Sequence, residues 1–174
     1  MELNAKLSAF WGRRSIRVYS SRSVPDEMVS DLLHAAMAAP SAAGGDPWRF
    51  IVVRDSDMLR RIAAALPHGR MLSSAAAGIV VCGDQAAAHD RQLSYLLQDC
   101  AAATENLLLA AHLLGLGACW LGVHPRESRI AALRTLLGIP QAVVPVCVVA
   151  LGYAAERKEP RTRFRSEHVH RDQW

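Results

Sequence analysis

The sequence lacks the features that define several common functional classes. Its four cysteines include no Cys-x-x-Cys pair, and neither they nor the seven histidines have the spacing of a metal site. No apolar stretch is long and unbroken enough to span a bilayer, and the N-terminal residues do not have the charged-then-apolar form of a signal peptide. We therefore expect a cytoplasmic protein without a metal or a membrane partner, with cysteines that serve as small buried hydrophobic residues.

Aromatic residues are also scarce, at 6% of the chain, and they do not interleave with a long basic stripe. This pattern does not favour a nucleic-acid partner, although the formal net charge is +4. The excess of positive charge lies at the two ends: residues 1–25 hold five basic side chains against one acid, and residues 156–174 hold six against four. Two basic ends that converge on a small phosphate-bearing ligand account for this distribution.

The chain has 174 residues, half of them hydrophobic, which predicts a single domain over residues 1–174 with a substantial core. Apolar periodicity and turn residues predict helices and strands in an irregular order, with a buried strand at Phe50–Val53. The order lacks a regular βαβ rhythm, so the expected class is α+β. Helices are predicted at residues 3–11, 24–40, 56–66, 91–114 and 125–137, and the other strands at 78–82 and 143–151, with a short strand or turn at 118–123.

The longest predicted helix and the C-terminal segment both favour a second protein surface. The second half of the 91–114 helix is apolar nearly all round, which predicts an enclosed helix, and its many alanines allow another helix to approach closely. Residues 154–174 are polar and basic, without periodicity, yet Tyr153, Phe164 and Trp174 provide apolar anchors. We expect this segment to extend as an arm over a partner.

Two short motifs near the start of the chain carry most of the chemical information. Arg13-Arg14-Ser15-Ile16-Arg17 places three guanidinium groups and a hydroxyl within five residues, a dense site for phosphate oxygens. The second motif, from Ala39 to Trp48, is a turn rich in proline, serine and glycine whose backbone amides can approach a ligand closely. Together they predict a phosphate-bearing cofactor held between an arginine loop and a glycine turn.

Motifs for other catalytic strategies are missing. The sequence has no nucleophile elbow, no metal-ligand set, no paired-carboxylate motif and no dinucleotide fingerprint. This fits a protein in which a bound cofactor carries the chemistry while the chain supplies position and electrostatics.

These motifs and three others in the same order resemble the FMN-dependent nitroreductase family over nearly the whole chain. The further matches are residues 98–112, the segment Gly115–Gly122, and Leu151-Gly152-Tyr153 followed by residues 161–164. The resemblance implies a central, mostly antiparallel sheet flanked by helices. It also implies a homodimer that exchanges its extended C-terminal segments, with FMN at the interface touching both chains.

The resemblance also implies roles for individual residues. Arg13 and Ser15 correspond to contacts with the FMN phosphate, Arg14 to a backbone contact, and Arg17 to a position near the pyrimidine edge of the flavin. Arg161 and Arg163 correspond to tail residues that would reach the phosphate. Leu121 and Gly122 correspond to the backbone segment that would meet the flavin near its N5 edge.

Pro40, Ser41 and Ala42 correspond to the family's turn that covers the flavin from the second subunit. In this turn the sequence departs from the family, because Gly44 stands where asparagine is usual and Asp46 where glutamine is usual. An aspartate can accept a hydrogen bond from a ribityl hydroxyl but cannot donate one, and it adds negative charge beside a negative cofactor. These two differences predict weaker cofactor binding or a looser pocket.

The implied activity is that of an FMN-dependent oxidoreductase. NAD(P)H reduces the bound flavin and leaves, and an electron-poor small molecule such as a nitroaromatic or a quinone then takes the electrons by a ping-pong mechanism. Two alternatives stay open: another flavin reaction, such as dehalogenation or flavin fragmentation, or a degenerate member that binds FMN weakly as a storage protein.

Glu105 and His112, seven residues apart on one helix, are interpreted as a buried polar pair.

Overall fold

The structure is a computed structural model that describes residues 4–174. Leu3, where the first helix was predicted to begin, lies outside the described residues. The helices and strands alternate irregularly along the chain, as the sequence predicts. In order they are α1 (Ser8–Gly12), α2 (Asp26–Met37), β1 (Trp48–Val53), α3 (Ser56–Ala65), β2 (Ala77–Asp84), α4 (Leu93–Leu113), β3 (Gly117–Gly122), α5 (Glu127–Leu137) and β4 (Val143–Gly152).

Local sequence signals explain several of the helix ends. Pro25 precedes α2, and Asp26 and Glu27 place negative charge in its first turn, where the helix dipole favours it. Asp55 caps α3 by accepting a hydrogen bond from the Met58 amide at 2.7 Å. Helix α5 ends at Gly138, whose φ of +66° is the left-handed conformation that glycine adopts most readily.

The four strands form one sheet in the order β1-β2-β4-β3, and every neighbouring pair is antiparallel. The two central strands, β2 and β4, are buried along almost their whole lengths. This confirms the predicted α+β class with a mostly antiparallel sheet flanked by helices.

Helices cover both faces of the sheet. Because side chains alternate across a strand, Ile79 and Val81 pack with helices α2 and α4 on one face. Val80 and Cys82 pack with helices α3 and α5 on the other.

All four cysteines are buried and free, as predicted. Within residues 4–174, none of the helices combines the length and apolarity needed to cross a membrane.

Two predictions about burial are wrong for the chain on its own. Strand β1 is an edge strand rather than a buried one, and Val52 is 38% exposed. Helix α4 is enclosed on one face only, since Leu113 is 72% exposed and several of its alanines are half-buried. Strand β1 and helix α4 contain more apolar side chains than a single chain buries. The sequence pattern alone does not reveal this difference.

The segment after α1 extends along the free edge of β3. Ser15 forms a parallel bridge with Ala118, and the Ile16 amide donates to the Ala118 oxygen at 3.0 Å. A Cβ at Gly117 would lie only 2.7 Å from the Ile16 side chain, so the two backbones approach closely because this residue is glycine. The sheet edge thereby fixes the position of the arginine loop (residues 13–17).

Candidate functional site

The arginine loop and the start of the C-terminal segment lie side by side in the same chain. Tyr19 forms an antiparallel bridge with Ala154, and the Ala155 amide donates to the Val18 oxygen at 2.9 Å. Further along, the Arg161 amide donates to the Trp11 oxygen at 3.0 Å. Residues 154–161 therefore pack on their own N-terminal segment. The arm over a partner, predicted for residues 154–174, stays a prediction.

This pairing of the two ends creates a cleft of about 470 Å³, called here the arginine cleft. Its volume is within the range of small-molecule sites. The cleft brings together six predicted site residues and four that were not predicted. The predicted residues are Arg13, Arg14, Ser15, Arg17, Arg161 and Arg163, and the others are Phe10, Trp11, Lys158 and Thr162.

Glu156 and Lys158 hold the backbone of the arginine loop. One carboxylate oxygen of Glu156 accepts hydrogen bonds from the backbone amides of Arg17 and Val18. Lys158 Nζ donates to the Ser15 oxygen at 2.6 Å and lies 3.2 Å from the same Glu156 oxygen. The hydrogen bond from the Arg17 amide, followed by the contacts with Lys158 and Val18, lowers the pKa of Glu156 below its usual range.

Arg13 makes a contact that the sequence did not predict. Its Nε lies 3.1 Å from Glu105 Oε1 on α4. The interpretation of Glu105 and His112 as a buried polar pair is therefore wrong: the Glu105 side chain is 46% exposed and faces Arg13, while His112 packs against Gly12. Spacing along the helix placed both residues on one face, but their partners come from the segment packed beside it.

A second cleft of about 520 Å³ lies on the other side of Arg17, which lines both cavities. It contains the predicted backbone segment Leu121-Gly122, and Arg129 of α5 donates to the Gly122 oxygen at 2.8 Å. Its remaining lining is partly apolar and partly basic, and comes from the region after α3 and from β3: Leu66, Pro67, His68, Arg70, Met71, Cys119 and Trp120.

The turn at residues 40–46 lines neither cleft. The Ser41 hydroxyl donates to Asp46 Oδ1 and accepts from the Asp46 amide at 3.1 Å, while the Ala42 amide donates to Asp99 Oδ1 at 3.0 Å. Asp46 is thus engaged within the turn, at a φ of +44°. The arrangement explains how an aspartate serves in a position where the family usually has glutamine.

Gly44 adopts a φ of +66°, and a Cβ built on it would meet no atom within 4 Å. Asparagine is the side chain that tolerates this backbone region best after glycine, and it would have space here. Steric hindrance within the described chain therefore does not explain why glycine stands here in place of the family's asparagine.

The buried thiols are not part of the candidate chemistry. Burial raises the pKa of Cys82, Cys100 and Cys147 to about 12, so all three stay protonated at neutral pH. Cys119 borders the second cleft, and burial raises its pKa as well.

The residues missed by sequence reasoning were those without a local pattern. Lys158 is one of only two lysines among twenty basic residues, which could have singled it out. Arg70 and Arg129 gave no such signal, because each is an isolated arginine that only the packing of separate elements brings into the second cleft.

The donor set of the arginine cleft suits a phosphate group. Five arginines, a lysine and a serine hydroxyl line one cavity, and Arg13 Nε is buried without a well-formed hydrogen bond. Guanidinium groups bind phosphate oxygens in bidentate fashion, so the residues present fit a phosphate-bearing ligand.

Comparison with known proteins gives the class of this fold and site. The sequence profile of the nitroreductase family matches residues 11–68 and 63–153, and the chain belongs to that family. Members of the family are oxidoreductases.

Individual relatives match along nearly their whole lengths. An Archaeoglobus fulgidus protein with the provisional name NADH dehydrogenase/NAD(P)H nitroreductase is 50% identical over 97% of this chain and 98% of its own. The crystal structure of a similarly named protein from Bacteroides thetaiotaomicron is 38% identical, with a TM-score of 0.92 over 99% of this chain and 100% of that one. A nitroreductase-like structure from Desulfovibrio desulfuricans, solved in complex with FMN, is 32% identical, with a TM-score of 0.84 over 99% of each chain.

Proposed function

We propose that the chain is an FMN-dependent oxidoreductase. In this proposal NAD(P)H is the electron donor, and an electron-poor small molecule, such as a nitroaromatic or a quinone, is the acceptor. Donor and acceptor use one site in turn, which is a ping-pong mechanism. Bound FMN would supply the hydride and electron transfer chemistry. The observation that carries the proposal is the arginine cleft, whose donor set suits the FMN phosphate and which adjoins a partly apolar second cleft.

The arginine cleft would hold the phosphate end. Arg13, Arg14, Ser15, Arg161 and Arg163 line it, and Lys158 adds a further positive charge. In this role Arg13 exchanges part of its contact with the half-exposed Glu105 for phosphate oxygens.

Arg17 would then contact the flavin ring, since it lies between the two clefts. A guanidinium at the pyrimidine edge stabilises the negative charge that develops on the ring during reduction. Leu121 and Gly122 would present backbone groups near the reacting N5 edge, and the hydrogen bond from Arg129 to the Gly122 oxygen fixes that segment.

The proposal includes a homodimer with FMN at its interface. The turn of Pro40, Ser41, Ala42, Gly44 and Asp46 lies outside both clefts, so a contribution to the site has to come from a second copy. The half-buried alanines of α4 offer a surface for that copy. Phe164 and Trp174, which are 67% and 100% exposed, offer anchors for an exchanged C-terminal arm.

An absorbance experiment tests the proposal. The purified protein is loaded with FMN, freed of excess cofactor, and titrated with NADH and NADPH in the absence of oxygen. We expect flavin bands that stay with the protein, bleach with the donor and return when a nitroaromatic or a quinone is added. A protein that keeps FMN without bleaching by either donor would refute the proposed reaction.

A second candidate function is a flavin-binding or storage protein without turnover, favoured by the changes at Gly44 and Asp46. Weak FMN binding that tightens sharply when asparagine and glutamine are restored there, without bleaching by either donor, would support it. A screen of acceptors with and without oxygen would separate nitro or quinone reduction from other flavin reactions, such as dehalogenation or flavin fragmentation.

A further inference from the structure

Helix α4 carries a buried carboxylate whose hydrogen bonding is incomplete. Asp99 is 5% exposed, and Thr104 is the other buried polar side chain of the residues that the structure describes. Thr104 is satisfied within the core, since its hydroxyl donates to the Cys100 oxygen at 2.6 Å. Asp99 Oδ1 accepts from the Ala42 amide at 3.0 Å, but its buried Oδ2 has no hydrogen-bond partner in the described part of the chain.

Such a carboxylate contributes little to the stability of the core. Removal of a charged group from water is unfavourable unless a cation or several hydrogen bonds compensate for it. Asp99 forms no ion pair with a basic side chain of the described residues. Alanine at this position would avoid the cost and would favour the helix. The contact with Ala42 therefore explains the carboxylate better than core packing does.

The turn that Asp99 contacts has an unfavourable backbone conformation. Ala43 has a φ of +51° and Asp46 a φ of +44°, in the left-handed region that is costly for most residues other than glycine. Such a backbone persists only where its surroundings fix it. Arg49 donates to the Asp46 oxygen at 3.1 Å near the end of the turn, and Asp99 provides the contact near its start. Asp99 thereby ties the turn to α4.

We infer that Asp99 is a positioning residue for the cofactor site: its carboxylate holds the Ala42 amide, so that the 40–46 turn is ordered before FMN binds. This role rests on the proposed function, in which the turn contributes to the FMN site of a second copy. A hydrogen bond to a charged acceptor is stronger than one between neutral groups, which suits a carboxylate to the task. A turn that is already ordered loses less conformational entropy when the cofactor binds.

Amide hydrogen exchange tests the first part of this inference. The exchange rate of the Ala42 amide is measured by NMR on the full chain, before and after FMN is added. Asp99→Ala removes the acceptor, so the amide should exchange about tenfold faster in the cofactor-free protein. Asp99→Asn keeps one side-chain oxygen and should give an intermediate rate. Equal rates in the wild type and Asp99→Ala would overturn the inference.

FMN binding tests the second part. The dissociation constant, from quenching of flavin fluorescence, should rise about tenfold in Asp99→Ala and by less in Asp99→Asn, because the turn then has to be ordered on binding. The absorbance maxima of the bound flavin should also shift, since they report on the groups around the ring. The Tm of the cofactor-free protein should stay within about 4 °C of the wild type.

Thr104→Ala is the matched control for a structural role. It removes the other buried polar side chain of α4, which makes no hydrogen bond to the 40–46 turn. We expect Thr104→Ala to lower the Tm but to leave both Ala42 exchange and FMN affinity unchanged. If Thr104→Ala weakens FMN binding as much as Asp99→Ala does, the integrity of α4 is responsible, and the inference fails.

Ala42→Pro tests the route by which Asp99 acts. Proline has no amide hydrogen, and Ala42 is the first residue of a short helical turn, where the proline ring is tolerated. In the Ala42→Pro background, Asp99→Ala should cause little further loss of FMN affinity. Additive losses would show that Asp99 acts through a different contact, and they would overturn the inference.

Failure of the proposed function would give different results. If wild-type protein does not retain FMN, or if its flavin does not bleach with either donor, the proposed function is refuted, while amide exchange still shows whether Asp99 holds the turn. If Asp99→Ala binds FMN like the wild type although the Ala42 amide exchanges faster, the positioning role is refuted and the proposed function stands.

Discussion

The carboxylate of Glu156 accepts a hydrogen bond from the backbone amide of Arg17, a residue 139 positions earlier in the chain. The same oxygen accepts from the Val18 amide at 3.2 Å. A residue of the C-terminal segment thus sets the backbone conformation of the loop that carries the arginines.

The contact with Arg17 makes the loop sensitive to acid. The pKa of Glu156 is lowered in the folded protein, first of all by the hydrogen bond from the Arg17 amide. A lowered pKa means that the stabilisation is fully present above the ordinary value of 4.5 and is lost as the pH falls through the folded value. We expect the Tm of the wild type to fall more steeply than that of Glu156→Gln as the pH decreases below about 4.5.

Thermal melts over that pH range, with Glu167→Gln as a control in the exposed tail, check this prediction. At neutral pH, Glu156→Gln should also weaken FMN retention, since a neutral amide holds the Arg17 and Val18 amides less firmly. Parallel pH profiles in the wild type and Glu156→Gln would contradict the prediction.

Removal of the charge at Arg17 should make the flavin harder to reduce. If Arg17→Gln weakens binding of the reduced cofactor about tenfold relative to the oxidised form, the two-electron midpoint potential falls by about 30 mV. Arg17→Lys, which retains the charge, should stay closer to the wild type. A spectroelectrochemical titration of the three proteins measures the shift, and equal potentials would argue against a contact between Arg17 and the ring.

The tail arginines should contribute to cofactor affinity. Arg161→Gln and Arg163→Gln each remove one charged partner of the phosphate, so each should weaken FMN binding by about 1.5–3 kcal/mol. Arg157→Gln is the matched control, since Arg157 is 91% exposed and does not line the arginine cleft. Fluorescence quenching on FMN binding gives the dissociation constants, and equal losses in all three variants would show a general effect of charge instead of a site.

The two departures from the family in the 40–46 turn should respond differently to restoration. Gly44→Asn has open space and a backbone region that asparagine tolerates, so we expect unfolding free energy within about 1 kcal/mol of the wild type and tighter FMN binding. Asp46→Gln removes the contact with Ser41 and places an ordinary side chain at a φ of +44°, which should cost about 1–3 kcal/mol.

Chemical denaturation and FMN titration of the two single variants and the double variant measure both effects. If Gly44→Asn leaves FMN affinity unchanged, the missing amide is not what limits binding. If Asp46→Gln is as stable as the wild type, the Ser41–Asp46 contact contributes nothing to the turn.

Much of the fold could be predicted because its signals are local. Several helices have an apolar face next to a start or stop residue, such as Pro25, Asp55 and Gly138, and strands β2 and β4 are largely apolar. The position of β1 at the edge of the sheet could not be predicted, because its run at Phe50–Val53 resembles that of a central strand. Strand order depends on contacts between distant segments.

The same distinction explains the candidate site. The arginine loop was found because three arginines within five residues form a pattern by themselves. Arg70 follows α3 and Arg129 lies on α5, so they meet only because both elements pack on the same face of the sheet. Glu105 contacts Arg13 and not His112. This contact likewise depends on a neighbouring segment that the spacing of residues along the helix does not reveal.

The closure of the arginine cleft by residues 154–161 has a consequence for how the protein is made. Lys158 contacts Ser15 across 143 positions, so the cleft cannot form until nearly all of the chain has left the ribosome. The four-stranded sheet is complete at Gly152, before that contact exists. A chain released after Tyr153 would therefore carry a nearly complete core and an arginine loop without its contacts to Glu156 and Lys158.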